Sequence, residues 1–371
     1  MIVRPDAAPG EDEGRIVTVE GAVHPEEVGT ILPHEHLFGD FSDKFDLPAA
    51  AVDRKRAREP FSLETLSWIR DNIVSHEQSL RLDSLETAIE EVGHYHRAGG
   101  DLLVDVTPKN VGGDPRRVRA VARETGVRIV HGTAFYVHYS HPDRVEAMTP
   151  ADIADEFASD VLQGIGDTDV RAGVIGEVGA SGEIRPEEEK VIRGGARAAR
   201  RTGAALSIHP PFHRDEEAPT SKRALWCLDI AEEEGLSPDR IVLCHRDQSK
   251  WLESDLRYQK EIADRGAYVE FDLFGHPEAY HEIVDDAQPS DLDRVRYVEK
   301  MVEAGYADRL LLSHDVFVKT VLRTYGGNGY AHLLENIVPL LRTRGVDDAT
   351  IRTLLTENPR RVLTFATPDA A

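Results

Sequence analysis

Apolar residues along the chain fall into short runs of strand length, separated by longer stretches in which they recur every three or four positions. The runs are ILPHEH at 31–36, DLLVDVT at 101–107, RIVHGTAFY at 128–136, GVIGEVG at 173–179, ALSIHP at 205–210, IVLCHRD at 241–247, AYVEFDLFG at 267–275 and LLLSHDV at 310–316. They are near-continuous rather than alternating, the pattern of parallel strands covered on both faces. Between them, SLETAIEEVGHYHRAG, TPADIADEFASDVLQGI, RPEEEKVIRGGARAARRTG and SDLDRVRYVEKMVEAG carry helical periodicity. Several of these open on a Ser, Thr or Pro cap and stop at glycine. Eight such units predict an α/β fold, a (β/α)8 TIM barrel with long βα loops, over an open doubly wound sheet.

Two segments stand outside this period. RIVTVEG, at 15–21, alternates and ends on glycine, which predicts one arm of a short N-terminal β-hairpin before the barrel. A polar insertion at about residues 39–80, rich in charge and proline, has the length of a functional or lid-like loop. The first residues are acidic and lack an apolar segment, so a disordered tail at 1–14, no signal peptide and one barrel domain at 15–371 are expected. No glycine-rich phosphate loop opens any helix, which leaves nucleotide binding without support.

Composition narrows the partners. Acidic residues number 67 and basic ones 44, a formal charge of −23 that repels nucleic acid and anionic membrane surfaces. No run approaches the roughly 20 apolar residues that span a bilayer. Two cysteines, Cys227 and Cys244, form no C-x-x-C pair and fit a reducing compartment, so a cytoplasmic chain acting on a small molecule is expected.

Polar residues with chemistry sit where the apolar runs end. His34 and His36 are two apart on a strand and point the same way. Glu177, His209, His245 and Asp315 close the fourth, fifth, sixth and eighth runs. Each alone has an ordinary explanation, a helix cap or a hydrogen-bonded core histidine. Four histidines and two carboxylates at the C-terminal end of one barrel, where such folds build their sites, point instead to metal. Six donors exceed what one zinc takes and suit two divalent ions about 3.5–4 Å apart. His34, His36 and Asp315 are assigned to one ion, His209 and His245 to the other, with Glu177 bridging. A hydroxide shared by the pair would be the nucleophile, and Asp315 would take its proton and pass it to the leaving group. Zn is the expected metal, and Mn, Fe or Co suit the same donors.

Around this centre Tyr136 is a candidate oxyanion donor. Arg246 and His276 are candidate substrate contacts. Lys319 and Arg323, four apart if helical, are candidate holders of an anionic substrate end. Asp105 reads as outer support for the ligands, Asp247 as a helix cap and Cys244 as buried packing. His138, His141, His213 and Arg214 fall in loops on the same face, where solvation is the default role.

In its motifs the chain resembles the phosphotriesterase family of the amidohydrolase superfamily. The likeness rests on the H-x-H of the first strand, GEVG, SIHP, VLCHRD, LLSHD, and the tail YGGNGYAHLLENIVPLLRTRGV followed by ENPRRVLTF, and covers about residues 15–365. Many such proteins bridge their metals with a carboxylated lysine on the fourth strand. This chain offers Glu177 there, and its next lysine, Lys190, falls inside a helix. With EFDLFG and HDVFVKT, that departure resembles the glutamate-bearing branch, the phosphotriesterase-related proteins. The resemblance implies cleavage of a small amide or ester, such as an N-acyl amino acid or N-acyltaurine, by a chain that forms a homodimer. Two alternatives are a lactonase, sugar lactones included, with promiscuous phosphotriesterase activity, and a catalytically silent metal- or ligand-binding barrel.

Overall fold

The computed structural model describes residues 8–211, 220–248, 255–276 and 288–369. Two short strands come first, β1 (Ile16–Thr18) and β2 (Gly21–Val23), paired antiparallel as the expected hairpin. The first apolar run is β3 (Thr30–Glu35). The insertion that follows is pinched off by a small antiparallel pair, β4 (Gly39–Asp40) with β5 (Arg81–Leu82), and carries the helices Ala51–Arg56 and Leu66–Asp71. The remaining runs form β6 (Gly100–Asp105), β7 (Arg128–Thr133), β8 (Val174–Gly179), β9 (Leu206–His209), β10 (Ile241–Leu243), β11 (Tyr268–Phe271) and β12 (Leu310–Leu312).

Starting from β3 and followed by β6 to β12 in chain order, these eight strands make one parallel sheet. Its ends meet just beyond the last strand. The Asp315 N–H donates to the His34 carbonyl at 3.2 Å, and the Ser313 hydroxyl donates to the same oxygen at 2.8 Å. The result is the (β/α)8 barrel that the periodicity predicts.

Strand alternation sorts the apolar residues into two cores. Ile31, Leu102, Val104, Val130, Val174, Val242, Tyr268 and Leu311 fill the lumen, while Leu32, Leu103, Ile129, Leu243, Val269 and Leu310 face the surrounding helices. Leu363 and Val362, in the helix Asn358–Leu363, also pack with the lumen residues. The lumen is therefore solid, and only the ends of the strands are left for chemistry. The helices are fixed by their caps. Thr149 and Asp152 form a capping box on Pro150–Leu162, and Ser290 and Asp293 form another on Asp291–Glu303. Helix Pro186–Thr202 ends on Gly203 at φ +81°, where a Cβ would sit 2.0 Å from the Ala366 carbonyl oxygen.

One expectation about the N-terminus is corrected in part. Residues 8–14 of the expected free tail are held down by the buried Asp12, which pairs with both terminal nitrogens of Arg171, and by Gly14 donating to the Phe365 carbonyl. An acidic stretch reads as solvated when its distant arginine cannot be seen.

Candidate metal centre

Four local breaks in the strand pattern aim the candidate ligands. Ile31 faces the lumen, so strict alternation would send Pro33 and Glu35 inward after it. A register irregularity in β3 between Leu32 and Glu35 resets the phase, and His34 and His36 face the centre instead. A second irregularity, between Ile175 and Val178, does the same for Glu177 in β8. His245 leaves β10 at φ +58°, a left-handed conformation uncommon for residues other than glycine and typical of functional sites. Asp315 has φ +50° and is held by its bond to His34.

These residues converge as the sequence predicts. All six are buried. The His209 Nδ1 and His245 Nε2 lie 2.6 and 2.8 Å from Glu177 Oε1, and 3.0 Å from each other. His34 Nε2 is 3.7 Å from the same oxygen and 3.6 Å from Asp315 Oδ1. His36 Nε2 is 3.0 Å from Asp315 Oδ1 and 3.9 Å from Glu177 Oε2. Glu177 thus presents one oxygen to His209, His245 and His34 and the other to His36, the disposition of a bridging carboxylate.

The outer nitrogens of three imidazoles are tied, which fixes which nitrogen faces inward. His34 Nδ1 bonds Glu270 at 3.0 Å, His36 Nδ1 bonds Thr107 at 2.8 Å and His245 Nδ1 bonds Asp272 at 2.9 Å. Asp105 anchors the second of these by accepting from the Thr107 N–H at 2.9 Å, which places it behind His36. Glu270 and Asp272 are site residues that the ends of the apolar runs do not reveal. Two carboxylates two apart in the apolar run YVEFD, on the parity of the lumen residue Tyr268, were the signal available for them.

The donor set fits divalent metal. His34 Nε2 is buried, has no hydrogen-bond partner among the described residues and faces the two site carboxylates. Glu177, Asp315, Glu270 and Asp272 are all buried within the same few ångströms, a concentration of negative charge that demands cations. The imidazoles register that field. Burial opposes protonation of His245, yet Asp272, Glu177 and Asp315 push it up to about 10. Burial raises Asp315 in turn, but the hydrogen bond from His36 and the charges of His245 and His34 outweigh it and hold the carboxyl well below its usual range. The supporting carboxylates should therefore matter for affinity. Asp272→Asn, which removes the charge behind His245, is expected to weaken metal binding about 10–100-fold, read by titration in metal-buffered solution.

The other candidates separate into those at the centre and those that are not. Tyr136 is buried with its hydroxyl 3.3 Å from His209 Nδ1, and burial together with Glu177 holds that hydroxyl well above its ordinary pKa, so it remains a donor. His141 Nε2 steadies the same residue by donating to the Tyr136 carbonyl at 2.7 Å, and His138 bonds Ser181. Arg246 is buried with Nε donating to the Cys244 carbonyl at 2.7 Å, and burial pulls it down to about 10. Asp247 accepts from the Asp272 and Leu273 N–H groups and pairs with Arg294 at 2.9 Å, tying the end of β11 rather than capping a helix. His276 is also internal, with Nε2 bonded to the carbonyls of His314 and Asp315 at 2.7 and 3.0 Å, where it steadies the Asp315 backbone.

The expected anion pair is not assembled. Lys319 and Arg323 lie on two separate 3-10 turns, Lys319–Val321 and Arg323–Tyr325, rather than on one helix. Lys319 is buried against Asp83 at 2.9 Å, and Arg323 is paired with Glu335. His213 and Arg214 lie outside the described residues.

A parallel barrel that gathers four imidazoles and two carboxylates at the C-terminal ends of its strands has the architecture of the metal-dependent barrel hydrolases. A model of the phosphotriesterase family matches residues 14–363, and the chain belongs to that family of hydrolases. It is 35% identical over 357 residues to the N-acetyltaurine hydrolase of Danio rerio, covering 96% of this chain and 99% of that protein. Among solved structures it is similar to the resiniferatoxin-binding protein from Rhodobacter sphaeroides, with a TM-score of 0.88, 40% identity and coverage of 94% of this chain and 95% of that one. It is also similar to the phosphotriesterase homology protein from Escherichia coli, complexed with phosphate in its active site. There the TM-score is 0.73 and the identity 27%, over 91% of this chain and 99% of that one. The family's general dependence on a binuclear metal centre and the buried donor set found here agree.

Proposed function

We propose that the protein is an amide hydrolase acting on small N-acyl compounds whose amine portion carries an anionic group, N-acyltaurines or N-acyl amino acids. The observation that carries the chemistry is the buried convergence of His34, His36, His209, His245 and Asp315 on Glu177. End-to-end likeness to an N-acetyltaurine hydrolase supports the substrate class. Two divalent ions, zinc in this reading, would be held by His34, His36 and Asp315 and by His209 and His245, with Glu177 between them. They would supply Lewis acidity and water of near-neutral pKa.

The chain's own groups do the rest. Asp315 takes the proton of the attacking water and delivers it to the departing nitrogen, its position kept by the His34 carbonyl and His276. Tyr136, protonated and buried beside His209, donates to the oxygen that gains charge at the acyl carbon. Buried, unpaired Cys227 and Cys244 support a cytoplasmic setting, and among the described residues no helix is long and apolar enough to cross a membrane. A homodimer is part of the same reading, tested by sedimentation.

A hydrolysis panel on metal-loaded protein, each substrate paired with a chelated control, tests the reaction. N-Acetyltaurine and N-acetyl amino acids should be cleaved in a chelator-sensitive way, ahead of lactones, aryl esters and a phosphotriester. Dominant lactone turnover would keep the metal centre and replace the substrate class. Silence with two metals bound would turn the reading to ligand binding, the property for which the Rhodobacter protein is named.

A further inference from the structure

An anionic substrate approaching a chain of formal charge −23 needs a local cation at the mouth. The cations first expected there are spoken for or buried, as Lys319 is held by Asp83, Arg323 by Glu335, and Arg246 lies beneath the surface. One other lysine is placed differently. Lys44 ends the 3-10 turn Ser42–Lys44 in the loop that follows β3. It is partly buried, and among the described residues no ion pair engages it. Its Nζ sits over two rings, 5.4 Å from the centre of Tyr136 and 5.8 Å from that of Phe317.

Those rings belong to a collar on the ligands themselves. Tyr136 packs edge-on against His209 at 4.8 Å, Phe41 packs edge-on against His36 at 5.4 Å, and Phe317 meets Phe41 at 5.6 Å. One aromatic ring therefore separates Lys44 from a metal ligand.

We infer that Lys44, poised on the Tyr136 and Phe317 rings, is the specificity residue that binds the sulfonate or carboxylate of the substrate's amine portion. The inference rests on the amide reading above for its substrate and deepens it. Lys44 Nζ is 5.4 Å from the Tyr136 ring centre. A substrate whose acyl group lies beside the Tyr136 hydroxyl would run along that ring with its anion toward the ammonium group. The apolar collar would take the short methylene spacer.

The test uses two ligands that cannot be hydrolysed, 4-oxopentane-1-sulfonate and its uncharged counterpart 5-(methylsulfonyl)pentan-2-one, titrated calorimetrically into the metal-loaded full chain. The wild type should bind the sulfonate about tenfold or more tighter than the sulfone, the scale of a charge-assisted hydrogen bond. Lys44→Met, which keeps the apolar stem, should abolish that preference while leaving sulfone affinity within twofold, and Lys44→Arg should retain it. In turnover, Lys44→Met should raise KM for N-acetyltaurine about tenfold with little change in kcat. A wild type without anion preference, or a Lys44→Met variant that keeps it, overturns the inference. Sulfonate binding through Lys44 without amide cleavage would sink the amide reading alone. Amide cleavage indifferent to Lys44 would sink this inference alone.

Discussion

Asp315→Asn is expected to retain two bound ions per chain and to lower kcat by about three orders of magnitude, the middle of the range for general acid–base catalysis. The substitution is mild in every structural respect. Asparagine tolerates the left-handed conformation found at this position, φ +50°, better than nearly any residue other than glycine. Its backbone N–H still donates to the His34 carbonyl, and the His276 bond to the residue's own carbonyl is untouched. Its side-chain oxygen can occupy the place of Oδ1, 3.0 Å from His36 Nε2. What is lost is the negative charge and the ability to carry a proton between water and leaving group. Metal content by plasma emission spectroscopy and kcat on N-acetyltaurine separate the two effects. Near-normal turnover would remove Asp315 from proton transfer. Loss of both ions would make it chiefly a ligand.

How far the sequence reached depends on what each feature needs. The eight strands were legible because a parallel strand covered on both faces writes its burial directly as an apolar run. The six converging donors were legible because each lies at the end of such a run, as His209 does in ALSIHP and Asp315 after LLLSH. The outer carboxylates were harder. Glu270 and Asp272 sit inside the motif EFDLFG, and only the strand's parity shows that both face the lumen side of the barrel behind His34 and His245. Lys319 and Arg323 misled for the opposite reason. Their spacing implies a shared face only if the segment is helical, and here the chain breaks into two turns whose basic residues find Asp83 and Glu335, distant in sequence or on another element. Lys44 was hidden in a polar insertion, where nothing local distinguishes a lysine facing the site from one facing water. Its meaning comes from Tyr136 and Phe317, far along the chain.

Glu177→Ala should release at least one of the two ions and reduce turnover by more than a thousandfold, a loss of at least about 4 kcal/mol of transition-state stabilisation. This side chain touches more of the centre than any other. One oxygen lies 2.6 and 2.8 Å from His209 and His245 and 3.7 Å from His34, and the other lies 3.9 Å from His36. Burial raises its carboxyl, but the charges of His209 and His34 and the hydrogen bonds from His209 and His245 more than reverse that and hold it well below its ordinary range. A carboxylate held low in this way is anionic without prior modification. A carboxylated lysine, by contrast, must be formed from CO2 before it can bridge. Reconstitution of this protein from apo chain and metal should therefore run to two ions in CO2-free buffer, with no acceleration by bicarbonate. Retention of both ions by Glu177→Ala would sink the bridging role. Bicarbonate dependence in the wild type would point to a modified side chain elsewhere. Glu177→Lys offers the complementary check, because a lysine at this place should recover metal binding only when bicarbonate is present. Recovery without it would show that a bridging carboxylate is dispensable to the centre.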